Sequence, residues 1–220
     1  MTTRTLWPGV VLGGLMIGGI GTAVAEGDSG FYMQADMGSG RYPKRLSIDG
    51  AAPLLTRGPT KQNDFAWAFA AGYHFNSYLA AELGFADLGA VTTKLVDASG
   101  ATTNRGQVRV AARGKSLSLL AHLPSGNWDP YFKAGLMQAV VSRRVDGQAV
   151  LLDEKEIQGF NYAQQHESLK AVLGIGVRYA FTDQWAINAA VDYYPGLAKD
   201  SFTNGVGDVI SPRVGFAYRF

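Results

Sequence analysis

The chain contains no cysteine. That absence excludes a disulfide scaffold, thiol catalysis, a cysteine zinc site and a lipid-bearing N-terminal cysteine. Charge is also scarce. Only 17% of residues are Asp, Glu, Lys or Arg, and the net charge is +2. No extended basic face calls for nucleic acid. Beyond the N-terminus no run of about 20 apolar residues exists, which excludes a bundle of membrane helices. Three scattered histidines make no metal site. No glycine-rich loop stands between a strand and a helix to cradle phosphate, so no cofactor is implied. What remains is apolar. Hydrophobic residues make up 47% of the chain, too many for a disordered polymer. The 220 residues suffice for one domain or one membrane barrel.

The N-terminus carries a targeting signature. Arg4 gives a positive start, Pro8 to Gly21 is apolar, and Ala23-Val24-Ala25 precedes the polar Glu26-Gly27-Asp28-Ser29. These are the three parts of a secretory signal peptide, and the apolar run is too short for a membrane anchor. The expected domains are therefore a signal peptide, 1–25, and a barrel domain, 26–220.

From there the chain alternates with a period of two. Phe65, Trp67, Phe69, Ala71 and Tyr73 share one face, and Ala66, Ala68, Ala70, Gly72 and His74 the other. Such alternation specifies strand, not helix. Eight segments follow the pattern, near 30–38, 64–75, 77–87, 108–123, 130–142, 167–181, 184–194 and 208–220. Connections near Asn76, near Pro124 to Asp129 and near Thr182-Asp183 are short. Those at 39–63, 88–107, 143–166 and 195–207 are long and polar. Short turns at one end and long loops at the other are the plan of an outer-membrane barrel. The expected fold class is all-β, an eight-stranded antiparallel transmembrane β-barrel.

The two faces separate cleanly in most segments. Trp185, Ile187, Ala189, Val191 and Tyr193 form an apolar stripe with Asn188 and Asp192 opposite. Val214, Phe216, Tyr218 and Phe220 face away from Arg213 and Arg219. Phe31, Met33 and Ala35 oppose Gln34 and Asp36. Aromatics gather beside the short turns: Tyr73, Phe75 and Tyr78; Trp128 and Tyr131; Tyr179, Phe181 and Trp185; Tyr218 and Phe220. Rings with a polar edge suit the headgroup level and would form a periplasmic girdle, with Phe65, Trp67, Phe85 and Tyr193 as the outer one. The segment at 108–123 fits less well, because Arg109, Arg113 and Lys115 share parity with Leu117 and Leu119. Either Gly114 is a bulge that swaps the faces, or the upper part projects above the membrane.

Three stretches carry a resemblance. "LGIGVRYAFTDQWAINAAVDY" (173–193) resembles a strand–turn–strand of the OmpA-like transmembrane barrels, and "WDPYFKAGL" (128–136) is similar to their entry into the fifth strand. "VGFAYRF" (214–220) looks like the C-terminal signal, with Tyr218 and Phe220, by which the barrel-assembly machinery recognises such proteins. The resemblance covers 26–220 and implies the OmpA/OmpX/OmpW type without a periplasmic peptidoglycan-binding domain. It implies export to a Gram-negative outer membrane and contact with its lipids and lipopolysaccharide.

Eight strands leave a lumen just wide enough for side chains. It would hold Asp36, Glu82, Lys133, Lys170, Arg178, Asp192, Arg213 and Arg219, and opposite charges so confined should pair. The expected role is structural or surface-interacting through the long loops, toward an extracellular ligand or host surface. The alternative is a narrow or gated channel for ions or small solutes. The first long loop is basic, with Arg41, Lys44, Arg45, Arg57 and Lys61. Asp153-Glu154-Lys155-Glu156 lacks calcium-loop spacing. His166 and Ser168 share a face, but that face is the lumen's and no carboxylate is evident to orient the histidine, so no catalytic residue is expected.

Overall fold

A computed structural model describes residues 29–43, 55–97, 105–150, 157–197 and 207–220. The expected signal peptide, 1–25, lies outside the described residues, as do Lys44, Arg45 and 153–156. Nine strand segments appear: β1 (Gly30–Arg41), β2 (Leu55–Lys61), β3 (Asn63–Asn76), β4 (Leu79–Asp97), β5 (Arg105–His122), β6 (Trp128–Val150), β7 (Ile157–Ala180), β8 (Trp185–Tyr194) and β9 (Val209–Arg219). Every pairing is antiparallel. The ring runs β1, β3, β4, β5, β6, β7, β8, β9 and closes as β9 meets β1. β2 continues β3 upward along the same neighbour, β4. The barrel thus has eight strands, and closure leaves no unpaired edge to face lipid.

Local chemistry sets the short turns. Asn76 Oδ1 accepts the N–H groups of Tyr78 at 2.8 Å and Leu79 at 2.9 Å, turning β3 into β4. Thr182 Oγ1 does the same for Trp185 at 2.9 Å between β7 and β8. Both termini of the barrel lie at this end, where the Phe220 N–H donates to the Phe31 carbonyl at 3.0 Å.

The opposite end differs from the sequence expectation. Within the stretches 88–107 and 143–166 the described residues are strand, not loop. β4, β5, β6 and β7 extend through them as paired strand, and the β6–β7 register holds without a break from Trp128–Tyr179 to Val150–Ile157. The bulge lies in β4, between Asp87 and Ala90, where Gly89 adopts a φ of 68°, a conformation glycine takes without strain. Gly114 is no bulge: β5 pairs with β6 in one register from Arg105 to His122. Arg109, Arg113 and Lys115 therefore do share the outer face with Leu117 and Leu119.

Side chains divide by parity. The outer wall exposes Phe31, Leu83, Leu117, Leu136, Leu169, Ile175 and Phe216, among other large apolar groups. So wide an apolar surface suits lipid and not water. The inner wall is filled in layers. Near the short turns Tyr32, Ala80, Leu120, Tyr131 and Ala190 pack together. A polar layer follows. Above it Leu88, Val91, Leu95, Val108, Val110, Met137, Val141 and Val172 form an apolar layer, joined by Tyr42 and Leu197 from the segments after β1 and β8. Gly72 and Gly176 stand directly across from Tyr32 and Tyr131, and a Cβ at either would overlap the facing ring. Tyr131 thus belongs to the interior, 4% exposed, and not to the girdle. It shares parity with Lys133, and nearness to a turn does not override parity.

Candidate functional site: the charged interior layer

The polar layer draws one to three residues from each of six strands. β1 supplies Tyr32, Gln34 and Asp36, β4 Glu82, β6 Tyr131 and Lys133, β7 Arg178, β8 Asn188 and Asp192, and β9 Arg213. Alternation delivers them, because each sits an even number of residues from its inward neighbours on the strand.

Glu82 is the hub. Its Oε1 accepts from Lys133 Nζ at 2.6 Å, and its Oε2 accepts from the Tyr32 hydroxyl at 3.1 Å. Arg178 Nη2 lies 3.8 Å from the same Oε2. Lys133 Nζ also lies 3.7 Å from Asp192 Oδ2, so one ammonium stands between two carboxylates. Arg213 pairs with Asp192 on the far side. Arg178 donates to Gln34 Oε1 at 2.9 Å and lies over the Tyr32 ring at 4.4 Å and the Tyr131 ring at 5.1 Å, a cation–π arrangement. Asp36 accepts from Gln34 Nε2 at 2.7 Å and from Asn188 Nδ2 at 3.1 Å. The Tyr131 hydroxyl donates to Asn188 Oδ1 at 2.9 Å. Three carboxylates, Asp36, Glu82 and Asp192, thereby meet three cations, Lys133, Arg178 and Arg213. Buried ions persist when opposite charges are matched in this way, although the Nε groups of Arg178 and Arg213 are buried without a hydrogen-bond partner.

Toward the short turns the network touches two histidines. Arg178 Nη1 is 3.3 Å from His74 Nε2, the His74 and His122 ring centroids are 4.7 Å apart, and His122 Nδ1 is 2.8 Å from Asp129 Oδ2. A pocket of about 300 Å³ opens at this end, lined by Tyr32, His74, Asp129, Arg178 and Arg219 among others.

Six of the eight lumen charges named from sequence therefore lie in one layer. Arg219 sits apart at the mouth pocket. Lys170 occupies an inward position opposite Met137, beside the apolar layer. Of the basic loop, Arg41 is exposed at the end of β1. Arg57 stands in β2 opposite Leu95, and Lys61 bonds to Asp64 at 3.0 Å. Tyr218 faces outward between Trp185 and Phe220, with ring centroids at 4.9 and 5.1 Å. His166 and Ser168 take inward positions opposite Val141 and Ala139. Among the described residues no cluster of His, Asp and Glu could hold a metal ion. Sequence reasoning passed over Tyr32 and misplaced Tyr131. Their shared parity with Asp36 and Lys133 was the signal that would have found them.

A model of the outer membrane protein beta-barrel domain matches residues 10–220. The chain belongs to that family. It is an outer-membrane β-barrel, and the layer just described fills its lumen. No curated protein sequence matches the chain. Among solved structures it is similar in fold to OprG of Pseudomonas aeruginosa, at 14% identity and a TM-score of 0.52, covering 88% of this chain and 96% of that one. Neisserial surface protein A is similar at 19% identity and a TM-score of 0.49, covering 89% and 100%. The N-terminal barrel domain of OprF from Pseudomonas aeruginosa is similar at 16% identity and a TM-score of 0.46, covering 87% and 98%.

Proposed function

We propose that this outer-membrane barrel is a closed scaffold whose work is done at its extracellular end, in contact with the cell's surroundings or its own envelope. The observation that carries this reading is how the lumen is filled. A charge-matched layer around Glu82 lies under an apolar layer capped by Tyr42 and Leu197. The Tyr42 hydroxyl donates to the Gly89 carbonyl at 3.0 Å, tying the cap to the β4 bulge. An apolar layer of this kind opposes passage of ions and polar solutes, because each would lose its hydration there. Above it the β4–β5 and β6–β7 hairpins rise as ordered strand. Their strands stay paired beyond the apolar layer and are suited to display.

The test is to shorten both hairpins, removing 98–104 and 151–156, in cells that depend on the protein. Heat-dependent gel mobility checks that the barrel still inserts. The expected outcome is altered adhesion or envelope integrity with normal insertion. Unchanged surface behaviour together with altered solute uptake would contradict it.

One feature favours a gated channel as the second reading. Lys133 stands within reach of both Glu82 and Asp192, so its ammonium could exchange carboxylates and rearrange the layer. That reading also requires the apolar layer above to part.

A further inference from the structure

We propose that His74 is a proton-operated latch at the short-turn mouth of the lumen. While neutral it ties Arg178 to β3, and on taking up a proton it releases Arg178 and moves to Asp129. In an outer-membrane barrel this mouth faces the periplasm. The latch lies at the end opposite the proposed display surface and stands or falls independently of that reading.

The hydrogens follow from the donors. A guanidinium only donates hydrogen bonds. Arg178 Nη1 lies 3.3 Å from His74 Nε2, so that nitrogen accepts and carries no hydrogen. His74 is therefore the neutral ring with its hydrogen on Nδ1. His122 also carries hydrogen on Nδ1, for the opposite reason. Its Nδ1 lies 2.8 Å from Asp129 Oδ2, and a carboxylate accepts. The other Asp129 oxygen, Oδ1, is buried with no hydrogen-bond partner. The mouth thus holds one ring nitrogen committed to a cation and one carboxylate oxygen without a donor.

A proton added at His74 Nε2 changes both relations. It removes the acceptor from Arg178 and sets N–H against N–H. It also places a cation beside a cation where little water screens them. The ring has room to leave, because His74 is only half-buried and lines the pocket of about 300 Å³ together with Asp129. A proton on His122 would instead sit on a fully buried ring whose Nε2 faces no acceptor.

The groups facing His74 come from all around the mouth. Tyr32 of β1 and His122 of β5 touch its ring, with centroids at 4.9 and 4.7 Å, and Tyr131 of β6 stands beyond His122. Arg178 of β7 and Arg219 of β9 line the pocket as cations, and Asp129 of β6 and Asp183 of the β7–β8 turn as acids. Glu82 of β4 connects through Tyr32 and Arg178. Asp183 is exposed and screened by water, whereas Asp129 is half-buried. Asp129 is therefore the acid that a protonated His74 meets. Gln34 and Glu82 still hold Arg178 after the exchange, so the charged layer persists and only the mouth loosens.

The experiment follows side-chain signals by NMR as the pH is lowered, in the full barrel labelled at histidine, arginine and aspartate and held in detergent micelles. At neutral pH His74 is expected to carry its hydrogen on Nδ1. On acidification it should become imidazolium, and the signals of Arg178 and Asp129 should move at the same midpoint, while those of Arg213 and Asp192 stay in place. Asp129→Asn should move that midpoint to lower pH by about one unit, and Arg178→Gln should move it to higher pH by a similar amount. A His74 that titrates while Arg178 stays in place overturns the latch, as does a midpoint that Asp129→Asn leaves unchanged. So does a His74 that stays neutral until the barrel unfolds, or one whose hydrogen is on Nε2 at neutral pH. If heat-dependent gel mobility shows that the variants do not fold, the titration of the unaltered protein decides.

Discussion

The layer around Glu82 and the layer around Leu88 fill the same lumen, one above the other, with opposite chemistry. In the first, Glu82 holds Lys133, Arg178 and Tyr32 at once, and each of those groups has further partners. In the second, Leu88, Val91, Val110 and Val141 contribute contact alone. The charged layer is a cooperative unit in which the loss of one ion strands another in low dielectric. The apolar layer loses about what each side chain buries. The difference teaches where the fold is brittle and where it tolerates change.

The largest effect should come from breaking the hub. Glu82→Ala leaves Lys133 with one distant carboxylate and Arg178 with none, and should destabilise the barrel by about 3–5 kcal/mol. Urea unfolding in lipid vesicles, followed by tryptophan fluorescence, checks this. Adding Lys133→Ala should cost less than the sum of the two single changes, by about 1–3 kcal/mol, since the partners no longer strand one another. Next comes the apolar layer. Leu88→Ala should cost about 2–4 kcal/mol and Leu88→Met less than about 1.5 kcal/mol in the same assay. Glu82→Gln, which also conserves volume, should cost clearly more than Leu88→Met. Equal costs for these two would erase the comparison. Smaller still, Tyr131→Phe removes the donor to Asn188 and should cost about 1–2 kcal/mol. The smallest effect is on the outer wall. Arg109→Gln relieves its opposition to the facing Arg144 of β6 and should change stability by no more than about 0.5 kcal/mol.

Much of this was legible in the chain. Period-two alternation placed every strand of the ring and the facing of Asp36, Glu82, Lys133, Arg178, Asp192 and Arg213. The alternation failed as a guide where the surroundings change from lipid to water. Within the membrane β5 points Leu117 and Leu119 outward and Ser118 inward. Above it Arg109 and Arg113 point outward, and Val108, Val110 and Ala112 inward. The polarity of the pattern inverts while the strand runs on. The upper hairpins therefore read as polar loops, and β5 looked inconsistent until its register was seen. Tyr42 and Leu197 gave no warning. Each is one of several apolar residues in its connection, and only the fold brings it onto the apolar layer.

The central claim is that the lumen is closed, and planar-bilayer conductance of the purified barrel tests it most directly. A heat-dependent gel shift first shows that the sample is folded. The account predicts electrical silence across the voltage range the bilayer withstands. Reproducible small openings whose size or frequency changes with Glu82→Gln or Arg178→Gln would contradict it and make the charged layer a gate.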